Sequence, residues 1–180
     1  KIGTKMSSVK DLGFEICTYQ DKNITFNGTE KVGWSAGELS SSYRRYGALN
    51  PVKKHLRVAL IPFGQFTPQH QRFIDDVMGF LEKGCESCEF IGPEKPYGQL
   101  NINEARFSRE YEDLESRADV VLIELDQRDE LKWQVWKKAA NRLNIRNQMF
   151  TSKLLNDRYA PMNVAFGLIG KMGGGDIHRP

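Results

Sequence analysis

Trp133 and Lys137 stand four residues apart, Gln148 follows eleven residues after Lys137, and Lys171 precedes Met172 and three glycines. An indole offers a flat face on which a base can stack, worth ~1–3 kcal/mol per base, and one N–H donor. A lysine ammonium is a compact point charge suited to a phosphate, and the Gln148 amide adds a neutral donor. Together these groups make sense as a pocket for a terminal phosphate. The aromatic ring takes the terminal base, and the two lysines neutralise a doubly charged group. From composition alone a plainer reading also stands: Trp133 as half-buried packing, and Lys137-Lys138 as charge on a solvated helix face.

Several elements must position these residues. Val120, Val121, Leu122, Ile123, Glu124 and Leu125 read as a buried strand. A loop of Asp126, Gln127, Arg128 and Asp129 follows it. The spacing then predicts a helix over 130–143 with Leu131, Val135, Ala139 and Leu143 on its apolar face, which leaves Trp133 and Lys137 on another face. Residues 146–151 form a short strand or extended turn, and Pro161 opens a last helix through Val164, Leu168 and Met172. Upstream, Val58, Ala59, Leu60 and Ile61 read as a strand. Thr67-Pro68 then starts a helix through Phe73, Val77, Met78 and Leu81, ended by Gly84. A second strand spans 88–92, and an amphipathic helix spans 105–118 with Phe107, Tyr111 and Leu114 on one side. Strand and helix alternate, which predicts an α/β domain of Rossmann-like type, a mostly parallel central sheet flanked by helices. Ligands in such sheets sit beyond the carboxyl ends of the strands, where the loop after Leu125 lies.

Composition bounds the function. The chain has 180 residues, 39% of them apolar and 27% charged, with a net charge of +3 that permits a nucleic-acid partner without demanding one. No apolar run approaches the ~18–20 residues of a membrane span, and the first residues lack the apolar core of a signal peptide. Three cysteines suit a reducing compartment, so the expected location is cytoplasmic. Cys85-Glu86-Ser87-Cys88 is a lone Cys-x-x-Cys at a helix end, without the two further ligands that zinc needs. His55, His70 and His178 are scattered and read as surface histidines. Neither Gly-x-Gly-x-x-Gly nor a P-loop is present, and no nucleophile–histidine set stands out. Residues 1–50 read as a linker or partial preceding segment, with a strand over 14–19 and a linker over 40–47. The start without Met and the glycine-rich end suggest an excised piece of a longer protein, with the compact domain at 51–175.

The order strand, loop, aromatic-x-x-x-Lys, Gln and a helix ending Lys171-Met172-Gly173-Gly174 resembles the MID domain of Argonaute/PIWI proteins, over roughly residues 40–176. The resemblance implies that the chain binds the 5′ end of a single-stranded guide RNA or DNA, for nucleic-acid-guided silencing or defence. It implies that Lys137, Gln148 and Lys171 hold the 5′-phosphate and that Trp133 stacks the first base. The loop of Asp126, Gln127, Arg128 and Asp129 would face the edge of that base. Many members carry a further lysine where this chain has Gly167, so Mg²⁺ is expected to make up the charge, ligated by nucleic-acid oxygens and not by side chains. A PIWI domain of the same parent protein, beginning at 176–180, would carry any nuclease site, so no catalysis is expected here. The competing reading is a Rossmann-like nucleotide- or small-ligand-binding module without guide function. A buried Trp133 and a solvent-pointing Lys137 would favour it.

Overall fold

The computed structural model describes residues 36–48, 51–127 and 129–172. Strands β1 (Val52–Ile61), β2 (Cys85–Pro93), β3 (Val120–Leu125) and β4 (Arg146–Thr151) form one sheet in the order β2-β1-β3-β4, and every pairing is parallel. Helices α1 (Ala36–Tyr46), α2 (Pro68–Leu81), α3 (Glu104–Glu110), α4 (Leu114–Arg117), α5 (Glu130–Asn141) and α6 (Ala160–Lys171) cover it. A 3₁₀ turn, Ser152–Asn156, joins β4 to α6.

The chain steps from β1 to β2 in one direction and from β3 to β4 in the other. Crossovers of one hand then require α2 and α5 on opposite faces, as observed. Helices α1, α2 and α6 pack on the face of Val58, Leu60, Val120, Leu122 and Phe150. Helices α3, α4 and α5 pack on the face of Ala59, Ile61, Val121, Ile123 and Met149. Because both faces are covered, β3 is buried at every position, which is why it reads as an apolar run without alternation. Each Leu, Ile or Val so buried contributes about 1.5–3 kcal/mol relative to exposure. The expected α/β architecture with a parallel sheet is therefore the one present.

Several local expectations need correction. The stretch 40–47, read as a linker, lies mostly in α1, where Tyr43 is only 3% exposed and Leu39 and Tyr46 pack against the same core. Burial at spacings of four and three overrides the weak helix propensity of Ser40, Ser41 and Ser42. The single helix over 105–118 is two, α3 and α4, separated by a turn at 111–113. Cys85 and Cys88 belong to strand β2 and not to a helix end. His70 is not a surface residue: it is 5% exposed on the inner face of α2, in register with Phe73, Ile74 and Val77. The strand expected over 14–19 and His178 fall outside the described residues.

Helix α5 also presents a different face from the one expected. Leu131 is 79% and Val135 46% exposed. The inward stripe is half-buried Trp136 with buried Ala139, Ala140 and Leu143, and the Trp136 ring lies 4.8 Å from Tyr97 and 5.4 Å from Phe107. Steps of four residues drift by about 40° each at 3.6 residues per turn, so Leu131 and Leu143 never shared a face. Spacings of three, four and seven keep Trp136 to Leu143 in line.

Candidate nucleic-acid interface

Strand β4 ends the sheet: β3 pairs along one side, and no strand among the described residues pairs along the other. Its register sets the directions of its side chains. Gln148 is opposite Leu122 and Phe150 opposite Glu124, so Gln148 and Phe150 share the face under α6. Asn147 points to the α5 side, where its amide donates to the Ala140 carbonyl at 3.4 Å and so ties the start of β4 to the end of α5.

Gln148 and α6 come very close. A Cβ on Gly167 would stand 2.8 Å from Gln148 Oε1, so glycine is what lets the carboxamide lie against the helix. One turn later, the Lys171 ammonium donates to Gln148 Oε1 at 2.6 Å and to the Asn147 carbonyl at 2.5 Å. Burial, and then the positive charge of Lys137 across the strand edge, hold the Lys171 pKa below the ordinary lysine value. The structure thus joins Lys171 to Gln148 at the edge of β4, and the Lys137 charge is near enough to be felt by Lys171. Two like charges placed this near each other are relieved by an anion between them.

Trp133 precedes Lys137 by one turn. It is half-buried, packed with Trp136 and Ile145 against the core beneath α5, while Lys137 is exposed. Asp126 and Gln127 are exposed, and the Asp126 carboxylate accepts from the Gln127 N–H at 2.8 Å. Asp129 is the N-cap of α5 and accepts from the N–H groups of Leu131 at 2.9 Å and Lys132 at 3.1 Å. Arg128 lies outside the described residues.

The cation pair does not lie beyond the carboxyl ends of the strands. Helix α5 starts there and runs back along the sheet, which puts Lys137 about 10 Å from its first residue at 1.5 Å per residue. Lys171 meets the second and third residues of β4. The carboxyl ends are instead closed by a buried network that sequence reasoning missed. Glu124, 2% exposed, accepts from the Phe63 N–H and from His70 Nε2, each at 3.0 Å, and from the Ser152 hydroxyl at 2.7 Å. The Thr67 N–H donates to His70 Nδ1 at 3.1 Å, which assigns the histidine proton to Nε2. The Tyr97 hydroxyl donates to the Glu124 carbonyl at 2.7 Å. The signals were present in a lone acid inside an apolar strand and a histidine in helical register with Phe73 and Val77.

An open depression of about 640 Å³ at the start of α2, lined by Phe66, Thr67, Pro68, Gln71 and Arg72, shares no residue with the cationic cluster. Among the described residues no group of three or more His, Cys, Asp or Glu is placed to hold a metal ion, and no helix is long and apolar enough to cross a membrane.

The isolated MID domain of Arabidopsis thaliana AGO5 superposes with a TM-score of 0.50 at 18% identity, over 71% of this chain and 95% of that one. The fold is that of an Argonaute MID domain. Drosophila Piwi matches with a TM-score of 0.60 at 17% identity over 87% of this chain. Aa-Ago crystallised with externally bound siRNA matches with a TM-score of 0.58 at 17% identity over 85% of this chain. The chain spans 22% of the Piwi chain and 23% of the Aa-Ago chain. No family model matches the sequence, and no curated protein matches it. On this MID fold the cationic cluster occupies the outer edge of β4, between the helix before that strand and the helix after it.

Proposed function

We propose that this chain anchors the 5′-terminal nucleotide of a single-stranded guide RNA or DNA. The observation that supports the reading is the Lys171 ammonium held on Gln148 at the edge of β4, with the exposed Lys137 close enough for its charge to act on Lys171. A 5′-phosphate placed between the ammoniums would take both charges. Gln148, released from Lys171, would turn its amide N–H groups toward the phosphate oxygens. Trp133, one turn nearer the carboxyl ends, would offer the exposed part of its ring to the first base, and the loop of Asp126, Gln127 and Arg128 would lie along that base's edge. With its carboxylate bound to the first turn of α5, Asp129 shapes the loop.

The residues present do not form a Mg²⁺ site. The neutral oxygens of the cluster, Asn147 O and Gln148 Oε1, are already bonded to an ammonium, and hard cations need several oxygen ligands. Mg²⁺ enters the proposal only as an ion carried by the phosphate's own oxygens. The chain has no catalytic role in this reading. Residues 51–175 are the guide-binding unit of a cytoplasmic protein whose PIWI domain would supply any nuclease chemistry.

The test is fluorescence anisotropy with the 180-residue chain and labelled strands of one sequence bearing a 5′-phosphate, a 5′-hydroxyl or a 3′-phosphate, with Mg²⁺ and with EDTA. The 5′-phosphorylated strand is expected to bind tightest. Lys137→Ala is expected to cost about 1.5–3 kcal/mol, the range for a charged hydrogen bond. Equal binding of all three strands, or unchanged binding by both Lys137→Ala and Trp133→Ala, would favour the small-ligand module instead.

A further inference from the structure

Arg146, the first residue of β4, is opposite Val120 in the β3 register, as Gln148 is opposite Leu122. Val120, Leu122 and Phe150 all belong to the core beneath α2 and α6, so Arg146 and Gln148 project on the same side of the sheet. Two positions apart on a strand, they are separated by about 6.6 Å, within reach of an arginine side chain. Lys171 stands over the residue between them, bonded to the Asn147 carbonyl and the Gln148 side chain. Arg146 is exposed, and its guanidinium makes no hydrogen bond or ion pair among the described residues. Arg57, Arg106 and Arg117 by contrast each hold a carboxylate.

We propose that Arg146 is the third cation of the site and selects a phosphomonoester dianion over an uncharged strand end. This inference rests on the 5′-end reading above and adds to it. The lysine pair is poorly suited to hold a dianion alone. Lys171 loses its proton more readily than an ordinary lysine, and one of its donors is spent on a backbone carbonyl. A guanidinium cannot be deprotonated in this range and can meet two phosphate oxygens at once through its planar fork.

The experiment measures, on the full chain, the ratio of dissociation constants for 5′-hydroxyl and 5′-phosphate strands in Arg146→Ala, Arg146→Lys and Arg142→Ala. Arg142 is a neighbouring exposed cation at the end of α5. Arg146→Ala is expected to lower the ratio about tenfold while leaving the 5′-hydroxyl strand's own affinity nearly unchanged. Arg146→Lys should recover part of the loss, and Arg142→Ala should weaken both strands alike. As the pH is raised, the parent should keep a residual phosphate preference that Arg146→Ala lacks. A full ratio in Arg146→Ala, or an equal fall in Arg142→Ala, would overturn the role of Arg146 and leave the 5′-end reading standing. A parent chain with no preference for the phosphate would overturn both.

Discussion

The Lys171 ammonium links the chemistry of the site to its acidity. Its pKa is lowered in the folded chain, chiefly by burial and then by Lys137, so the folded state binds fewer protons there than the unfolded state. The sign follows: this group's contribution to stability rises with pH through the window between its lowered value and the ordinary lysine value. A phosphate would reverse the shift, so binding should take up protons in that window. Affinity for a 5′-phosphorylated strand should accordingly fall as pH rises through it, measurable by anisotropy at stepped pH in matched salt. Gly167 gives a second residue-level prediction. In Gly167→Ala the new Cβ would collide with Gln148 Oε1 at 2.8 Å, and the flexible carboxamide would have to leave Lys171. Alanine also favours the helix by up to ~1 kcal/mol. The melting temperature should therefore hold or rise while affinity for the phosphorylated strand falls. Lys137, Gln148 and Lys171 stood out in the sequence as candidate anion ligands by their types, their spacing and the family resemblance. Arg146 did not, since its relation to Gln148 exists only once the β4 register is fixed.

At the scale of elements, helix α5 divides into a packed face and an exposed one. Trp136→Ala should cost about 3–5 kcal/mol, as for other large aromatic truncations in a core, because its ring lies against Tyr97 and Phe107. Leu131→Ser, on the outward face, should stay within about 0.5 kcal/mol. Urea unfolding of the two variants checks both, and a large loss in Leu131→Ser would mean that its face is covered in the folded chain. The sequence placed Ala139 and Leu143 on the inner face correctly but Leu131 and Val135 wrongly. Aliphatic residues at steps of four look like a stripe, but the indoles of Trp133 and Trp136 bury more surface and turned the helix toward themselves. Strands β1 and β3 were legible because burial on both sides demands unbroken apolar runs. Helix α1 was not, because its serines conceal a helix that is held by Tyr43 from outside its own local preferences.

Across the whole molecule, the sheet order β2-β1-β3-β4 makes β4 the last strand among the described residues and so gives the proposed site an outer edge. Alternation of strand and helix foretold the parallel sheet, but not which strand would be terminal, nor that the carboxyl ends would be sealed. That seal should matter for stability as a whole. His70→Phe or Glu124→Leu alone should each cost about 3–5 kcal/mol, since either leaves a buried polar partner unanswered. The double variant should cost less than the sum, as a denaturant double-mutant cycle would show. Such a seal also holds Thr67, Phe63, Ser152 and Leu125 in fixed relation.

The bond from Lys171 to the Asn147 carbonyl has a colloidal side. A terminal strand with unused backbone groups is a template for pairing with another copy, and lysines on such edges discourage it. The residue that would greet the phosphate is therefore also the edge's guard. Lys171→Met should show itself first in light scattering, as association that grows with protein concentration, in samples that have never met a nucleic acid.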